Sequence, residues 1–465
     1  MTRTSALFAA LALVLPTASF GQSSDSSVFI DQVGEDNAAR IVQNGDTNRA
    51  GSDAVKMFQD GNFNSLSILQ SGQNNTVGLT APGILQLGRS NTESIFNTID
   101  IEQTSDRNSV GSVSQSARGA VPYGTNSLRV RQGSGEQNRL NTVIQTQEAG
   151  QSEQVAIVEQ FGTNNVVDRV EQYTTSVDKF DENRIRIKMT GNFNGSLSLG
   201  GFAAIPDTAD NSVLQQAGSE DRNVNGNFAD LIFVGDNNRF GVRQGGRLNS
   251  IGVITTSGNA NQIGLRQDGT ENTISVPIIE GDDNNIGMDQ VGTNFSVLDF
   301  VGKSDNNQVS VYQYGTHRLV MLIEGDDNLI TARQDYDAGH GGDNKATVNF
   351  RGSANAARLS QFGGKNLFTL DVSGNENNTS GTMSPDAQAL GLQAGYFLQV
   401  GTGNSATMTV EGDRNLFATS QTGLENMFTL TVMGDDNEAA LLQNGARNSA
   451  SLRQQGKANY ARIQQ

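Results

Sequence analysis

Residues 399–465 read QVGTGNSATMTVEGDRNLFATSQTGLENMFTLTVMGDDNEAALLQNGARNSASLRQQGKANYARIQQ. In this stretch the pattern Gln/Val-x-Gly-x-x-Asn returns every 11 residues. The copies are Gln399-Gly401-Asn404, Val410-Gly412-Asn415, Gln421-Gly423-Asn426, Val432-Gly434-Asn437, Gln443-Gly445-Asn448 and Gln454-Gly456-Asn459. A short fixed period punctuated by turn residues is the signature of stacked repeats rather than of a globular core. Between turns the residues alternate with period 2, which is strand patterning. Asn426, Phe428, Leu430, Val432 and Gly434 share one face, and Met427, Thr429, Thr431 and Met433 the other. The first face is a narrow apolar and amide interior, and the second faces solvent.

Working outward, the same unit appears at Gln32-Gly34-Asn37 and Gln43-Gly45-Asn48, then after a gap of 16 at Gln59-Gly61-Asn64. It recurs at Gln70, Gln86, Gln160, Gln244, Gln267 and at Gln361-Gly363-Asn366. Other copies replace Gln by an apolar residue, as at Phe233, Ile279, Ile323, Phe350 and Val372. Gln-type and Val-type units alternate, so the true period is 22 residues. The fold class expected is all-β: a β-solenoid of strand-turn-strand-turn rungs, amyloid-like, with roughly 15–18 rungs about 4.8 Å apart. Gly at the turn supplies positive φ, and Asn is expected there for its tolerance of the left-handed conformation. Asn and Gln at equivalent interior positions are expected to form amide ladders along the axis, each amide using its donor and acceptor on the next. Stretches that break the period are expected to loop out: Gly78–Gly83, Ser116–Thr125, Gly200–Asp210, Asp335–Asp343 and Asn378–Ala394.

Composition narrows the function classes. Only 35% of the 465 residues are hydrophobic, Gly numbers 53 and Pro 6, and Trp and Cys are absent. Few prolines suit a backbone that pairs continuously, and without Cys there are neither disulfides nor thiolate metal sites. A net charge of −17 argues against a nucleic-acid or anionic-membrane partner. Residues 1–21 read as a signal peptide: Arg3, an apolar run from Ala6 to Leu15, and small residues Ala18, Ser19 and Gly21 before Gln22. The mature chain, 22–465, holds no further apolar stretch long enough to span a bilayer.

These residues resemble the curlin repeat, the unit of curli, the bacterial extracellular amyloid fibres. Its form, Gln-x-Gly-x-x-Asn-x-Ala-x-x-x-Gln, is matched by Gln443, Gly445, Asn448, Ala450 and Gln454, and by Gln32, Gly34, Asn37, Ala39 and Gln43. The resemblance covers essentially all of the mature chain, patchily between about Gln115 and Asn223. It implies secretion to the cell surface, self-association into fibres serving adhesion and biofilm matrix, and curli-type secretion and nucleation partners. Two departures stand out. The chain is several times longer than usual curlin subunits, and only Gln22–Ser27 precedes the first strand, where the family carries a polar leader.

Candidate chemistry is sparse. Acidic turns such as Glu280-Gly281-Asp282-Asp283-Asn284, Glu324-Gly325-Asp326-Asp327-Asn328 and Gly434-Asp435-Asp436-Asn437 could offer oxygens to Ca²⁺, but the nine-residue calcium β-helix motif is not matched. Asp suits such turns, and its charge discourages lateral aggregation. His317 and His340 sit in no motif, and no cofactor or metal site is expected. Acids that recur from turn to turn are a poor sign of one catalytic cleft, so an enzyme is not expected. Val28, Ile30 and Gln32 already read as strand, and Asn459, Ala461, Ile463 and Gln465 keep the inward register. Head-to-tail templated assembly is therefore expected; the alternative is a non-polymerising adhesin or an accessory or nucleator solenoid whose inserted loops make the contacts.

Overall fold

Alternation along strand Met427–Met433 buries Phe428, Leu430 and Val432 to 2% exposure or less, while Met427 on the opposite face is 55% exposed. The computed structural model describes residues 25–90, 95–119, 124–147, 154–174, 183–195, 198–208, 212–217, 226–276, 278–300, 302–336 and 342–465. The expected signal segment, 1–21, lies outside the described residues. Among the described residues strand accounts for 61% and helix for 2%, and the strands wind as a parallel β-solenoid of about 17 turns. Each rung lends its backbone N–H and C=O groups to its neighbours, so a chain with little apolar surface still satisfies its interior.

The chain divides into two compact units, residues 1–192 with 215–226, and residues 193–214 with 227–465. In the second unit a front sheet carries strands such as Ala356–Gly364, Tyr396–Thr402, Leu416–Leu424 and Glu438–Ala446. A back sheet carries Leu367–Ser373, Ser405–Glu411, Met427–Met433 and Ser449–Gln455. Gln399 stands opposite Gln421 and Gln421 opposite Gln443, at the 22-residue rung read from the sequence. Val410 and Val432 align likewise on the back sheet. Between the sheets the Phe368 and Phe397 rings lie 5.2 Å apart and those of Phe397 and Phe417 5.6 Å apart. Such aromatic pairs add about 0.5–1.5 kcal/mol each beyond the area they bury.

In the first unit the front sheet includes Ile30–Val33, Met57–Gly61, Ile84–Ser90 and Ser109–Gly119, and the back sheet Ala38–Asn44, Ser65–Ser71 and Thr98–Gln103. Here rungs are longer, with equivalent glutamines 27, 33 and 29 residues apart.

The period-breaking stretches have distinct structures. Gly78–Gly83 is a tight turn between Thr76–Val77 and Ile84–Ser90, with φ of +69° and +83° at its two glycines. Ser116–Gly119 does not loop out but continues strand Ser109–Gly119 in register with Ile84–Ser90, because its backbone finds a neighbouring strand to pair with; 120–123 lie outside the described residues. Within Gly200–Asp210, Gly201–Ala203 form a 3₁₀ turn lying on the front sheet. Of Asp335–Asp343, Asp335 ends strand Leu329–Asp335, and 337–341 are not described. Asn378–Ala394 contains helix Pro385–Ala389; Ala387 of the helix, with Met383 before it and Leu392 after it, packs on Ala418 and Ala440.

Candidate functional site

The residues singled out by the repeat converge on columns running through the interior of the stack. In the second unit Gln361, Gln399, Gln421 and Gln443 point inward from the front sheet and are fully buried. Each Nε2 donates to the next Oε1: Gln361 to Gln399 at 2.8 Å, Gln399 to Gln421 at 2.8 Å, Gln421 to Gln443 at 2.9 Å and Gln443 to Gln465 at 2.7 Å. The other amide proton crosses to a back-strand carbonyl, from Gln399 to Leu367 O at 2.9 Å and from Gln421 to Ser405 O at 3.0 Å. Leaving one such amide group unmade in the interior would cost about 1–3 kcal/mol.

The asparagines form a second kind of column, with opposite polarity. The backbone N–H and Nδ2 of Asn426 both donate to Asn404 Oδ1, at 3.2 and 3.0 Å, and Asn404 donates in the same way to Asn366. Asn426 Nδ2 also reaches Gly445 O at 3.1 Å. Asn448 N donates to Asn426 Oδ1, and Asn459 to Asn437 Oδ1. This corrects one expectation. The motif Asn is not the left-handed residue; the residue before it is, with φ of +56° at Arg414, +55° at Glu425, +58° at Asp436, +61° at Arg447 and +53° at Ala458. Asn is needed for a short side chain that accepts from the next rung and donates to a glycine carbonyl at once.

Glycine at the turn answers to space as well as to conformation. A Cβ on Gly423, at φ +119°, would stand 1.8 Å from Gly445 O; on Gly401 it would stand 2.1 Å from Gly423 O, and on Gly363 2.3 Å from Gly401 O. Gly445 and Gly456 share the positive φ but meet nothing nearer than 3.6 Å. In the first unit Gln32 donates to Gln59 at 2.5 Å and Gln43 to Gln70 at 2.8 Å. Asn37 Oδ1 accepts from Asn64 Nδ2, and Asn48 Oδ1 from Asn75 N. A Cβ on Gly34 or Gly45 would meet the Gly61 or Gly72 carbonyl at 1.9 or 2.1 Å.

Gln454 differs from the others. It lies over Val432, which has no amide to offer, and its Nε2 donates to Glu438 O at 2.9 Å while its buried Oε1 has no partner among the described residues.

The acidic turns are also accounted for. Asp305 Oδ1 accepts from Asp282 N and Asp326 Oδ1 from Asp305 N, both at 2.8 Å, so the first carboxylate of each turn caps the turn of the preceding rung. The second Asp holds the left-handed position, with φ of +57° at Asp283 and +58° at Asp327. Lys457, 2.8 Å from Asp435, holds that carboxyl below its usual range. No group of three or more His, Cys, Asp or Glu that could hold a metal ion occurs among the described residues.

His317 occupies an asparagine slot, which its isolated position in the sequence did not signal. Its backbone N–H donates to Asn294 Oδ1 at 3.0 Å, its Nε2 lies 2.8 Å from Tyr314 O, and it is 3% exposed. Burial pushes its pKa below the ordinary value. A signal was available: His317 lies 23 residues after Asn294, within the spread of rung lengths.

No helix of the described residues is long and apolar enough to cross a membrane. No curated protein matches the chain in sequence. The family model of the curlin-associated repeat matches residues 434–465. Residues 434–465 are thus similar to the curlin-associated repeat.

Proposed function

We propose that the protein is an exported structural subunit that stacks head to tail on copies of itself into curli-like extracellular fibres, in the service of adhesion and biofilm matrix. The fold and the repeat family are structural rather than catalytic. The reading rests on Gln454. On the back sheet of the second unit the inward column runs Val372, Val410, Val432 and then changes to Gln454. Strands Ser449–Gln455 and Tyr460–Gln464 pair along one edge only among the described residues; Gln454 lies in the first, and Gln465, which follows the second, accepts from Gln443. Strands Ile30–Val33 and Ala38–Asn44 likewise pair along one edge only, and present Gln32 and Gln43. The glutamine columns of both units donate in the same chain direction. Stacking a second copy would therefore let Gln465 Nε2 donate to Gln32 Oε1, and Gln454 Nε2 to Gln43 Oε1. A valine at 454 would suit the column beneath it and leave Gln43 without a donor.

The test is refolding of the chain from Gln22 onward, followed by thioflavin fluorescence and negative-stain microscopy. Unbranched fibres are expected, with a lag abolished by seeds, and Gln454→Val should slow elongation without lowering monomer stability. A chain that stays monomeric for days at high concentration, or fibres indifferent to Gln454→Val, would overturn the reading. Persistent monomer would favour an adhesin or accessory solenoid.

A further inference from the structure

The outer face of the front sheet in the second unit is covered in two places and open between them. In the first, segment 198–208 is held by side-chain amides: Asn285 Oδ1 accepts from Ala203 N at 2.6 Å, Asn285 Nδ2 donates to Gly200 O at 2.8 Å, and Gln262 Oε1 accepts from Gly200 N at 2.8 Å. It sits low because the outward residues beneath it are Gly264 and Gly287, where a Cβ would stand 1.9 Å from Ala203 O and 1.8 Å from Phe202 O. In the second, Met383, Ala387 and Leu392 close over Ala418 and Ala440, again small outward residues. Between the two covers the row that began with Gly287 continues as Ser310, Thr331 and Arg358. The result is a trough of about 730 Å³, with Phe202 on one wall and Ala394 and Gly395 on the other. That volume falls within the range of small-molecule sites.

Its floor is cationic and aromatic on a chain of net charge −17. Arg333 lies 5.2 Å over the Phe362 ring and is neutralised by Asp335 at 2.7 Å. Arg358 lies 5.7 Å over the Tyr396 ring and makes no ion pair among the described residues. A guanidinium steadied by a ring and lacking a counter-ion is preorganised for a two-pronged bond to a carboxylate. Tyr312 supplies a further ring, and Thr331 and Ser360 supply hydroxyls. The strands forming the floor are paired along both edges, so an acidic peptide would find no free backbone edge to pair with. A ligand read entirely by rings, hydroxyls and one cation must itself offer flat C–H faces, hydroxyls and a carboxylate.

We propose that this trough binds a uronic-acid oligosaccharide, with Arg358 taking the carboxylate and Tyr312 and Phe202 contacting the sugar faces. The site goes beyond self-assembly: a fibre so equipped would carry one acidic-glycan site per subunit.

The experiment is isothermal titration of the full chain, kept dilute enough to remain monomeric, with tetragalacturonate, neutral cellotetraose and a hepta-glutamate peptide. Tetragalacturonate should bind, more weakly as salt is added. Arg358→Ala should weaken it by about tenfold or more, the scale of one charge-assisted pair. Tyr312→Ala should weaken both sugars, and circular dichroism should show both variants folded. No heat with tetragalacturonate, an affinity unmoved by either variant, or equal binding of the glutamate peptide would overturn the proposal.

Discussion

The first unit carries two glutamine columns, Gln32–Gln59–Gln86 and Gln43–Gln70–Gln103–Gln132, whereas the regular end of the second unit carries one glutamine column beside an apolar row, Val372–Val410–Val432. The first unit has the poorer sequence period, with steps of 27, 33 and 29 residues against 22 from Gln399 to Gln465; the step from Gln361 to Gln399 is longer, at 38. The first unit's amide contacts within these columns are nevertheless comparable, 2.5–3.0 Å against 2.7–2.9 Å, and only the next link, Gln86 to Gln115, is longer, at 3.3 Å. Strand stacking sets the spacing of the columns, and chain length between them is absorbed at turns. The two back-sheet columns solve one burial problem in different ways. A ladder amide gains about 1 kcal/mol net per hydrogen bond, while a buried Val gains about 1.5–3 kcal/mol from leaving water. The apolar row is the more forgiving, because losing one member orphans no neighbour.

The largest effect is expected at the turn glycines. Gly423→Ala drives a Cβ into the Gly445 carbonyl and should cost several kcal/mol, disrupting adjacent rungs. Gly445→Ala has the same positive φ with open space around it, and should cost only about 1–3 kcal/mol of backbone strain. Denaturant unfolding of the pair decides the matter; equal losses would mean that packing between rungs is not the reason for glycine.

Next in size is a break in a glutamine column. Gln103→Leu strands the Gln70 donor and the Gln132 acceptor, and should cost about 2–4 kcal/mol, two unmade groups in the interior. Val432→Ala in the apolar row removes methyl groups without orphaning a polar atom, and should cost less, about 1–2 kcal/mol. Urea midpoints reversed in order would refute the distinction between the columns.

The smallest effect concerns His317. Its folded-state pKa lies below 6.5, so the unfolded chain binds the proton more readily. Stability is therefore full above about 6.5 and falls as pH drops toward the depressed value. His317→Asn should remove that part of the acid sensitivity and fill the slot between Asn294 and Asn344 with an amide. Thermal melts at pH 7 and 5 check this; an unchanged difference between the two pH values would place the sensitivity elsewhere.

Much of the architecture was legible in residue order. Alternation told Phe428, Leu430 and Val432 from Met427, and the Gln-x-Gly-x-x-Asn spacing placed Gln399, Gln421 and Gln443 in one column, because a stack of parallel strands repeats its sequence period directly in space. Local pattern could not assign the left-handed turn position. Arg414, Glu425 and Ala458 hold it against their own preference, since the flanking rungs leave the backbone no other path. Nor could it show that Gly264 and Gly287 are small so that residues 198–208 can lie upon them, or that His317 stands among asparagines. Each of these depends on which distant residues the stack brings within van der Waals contact, and that is decided only when the whole chain has wound.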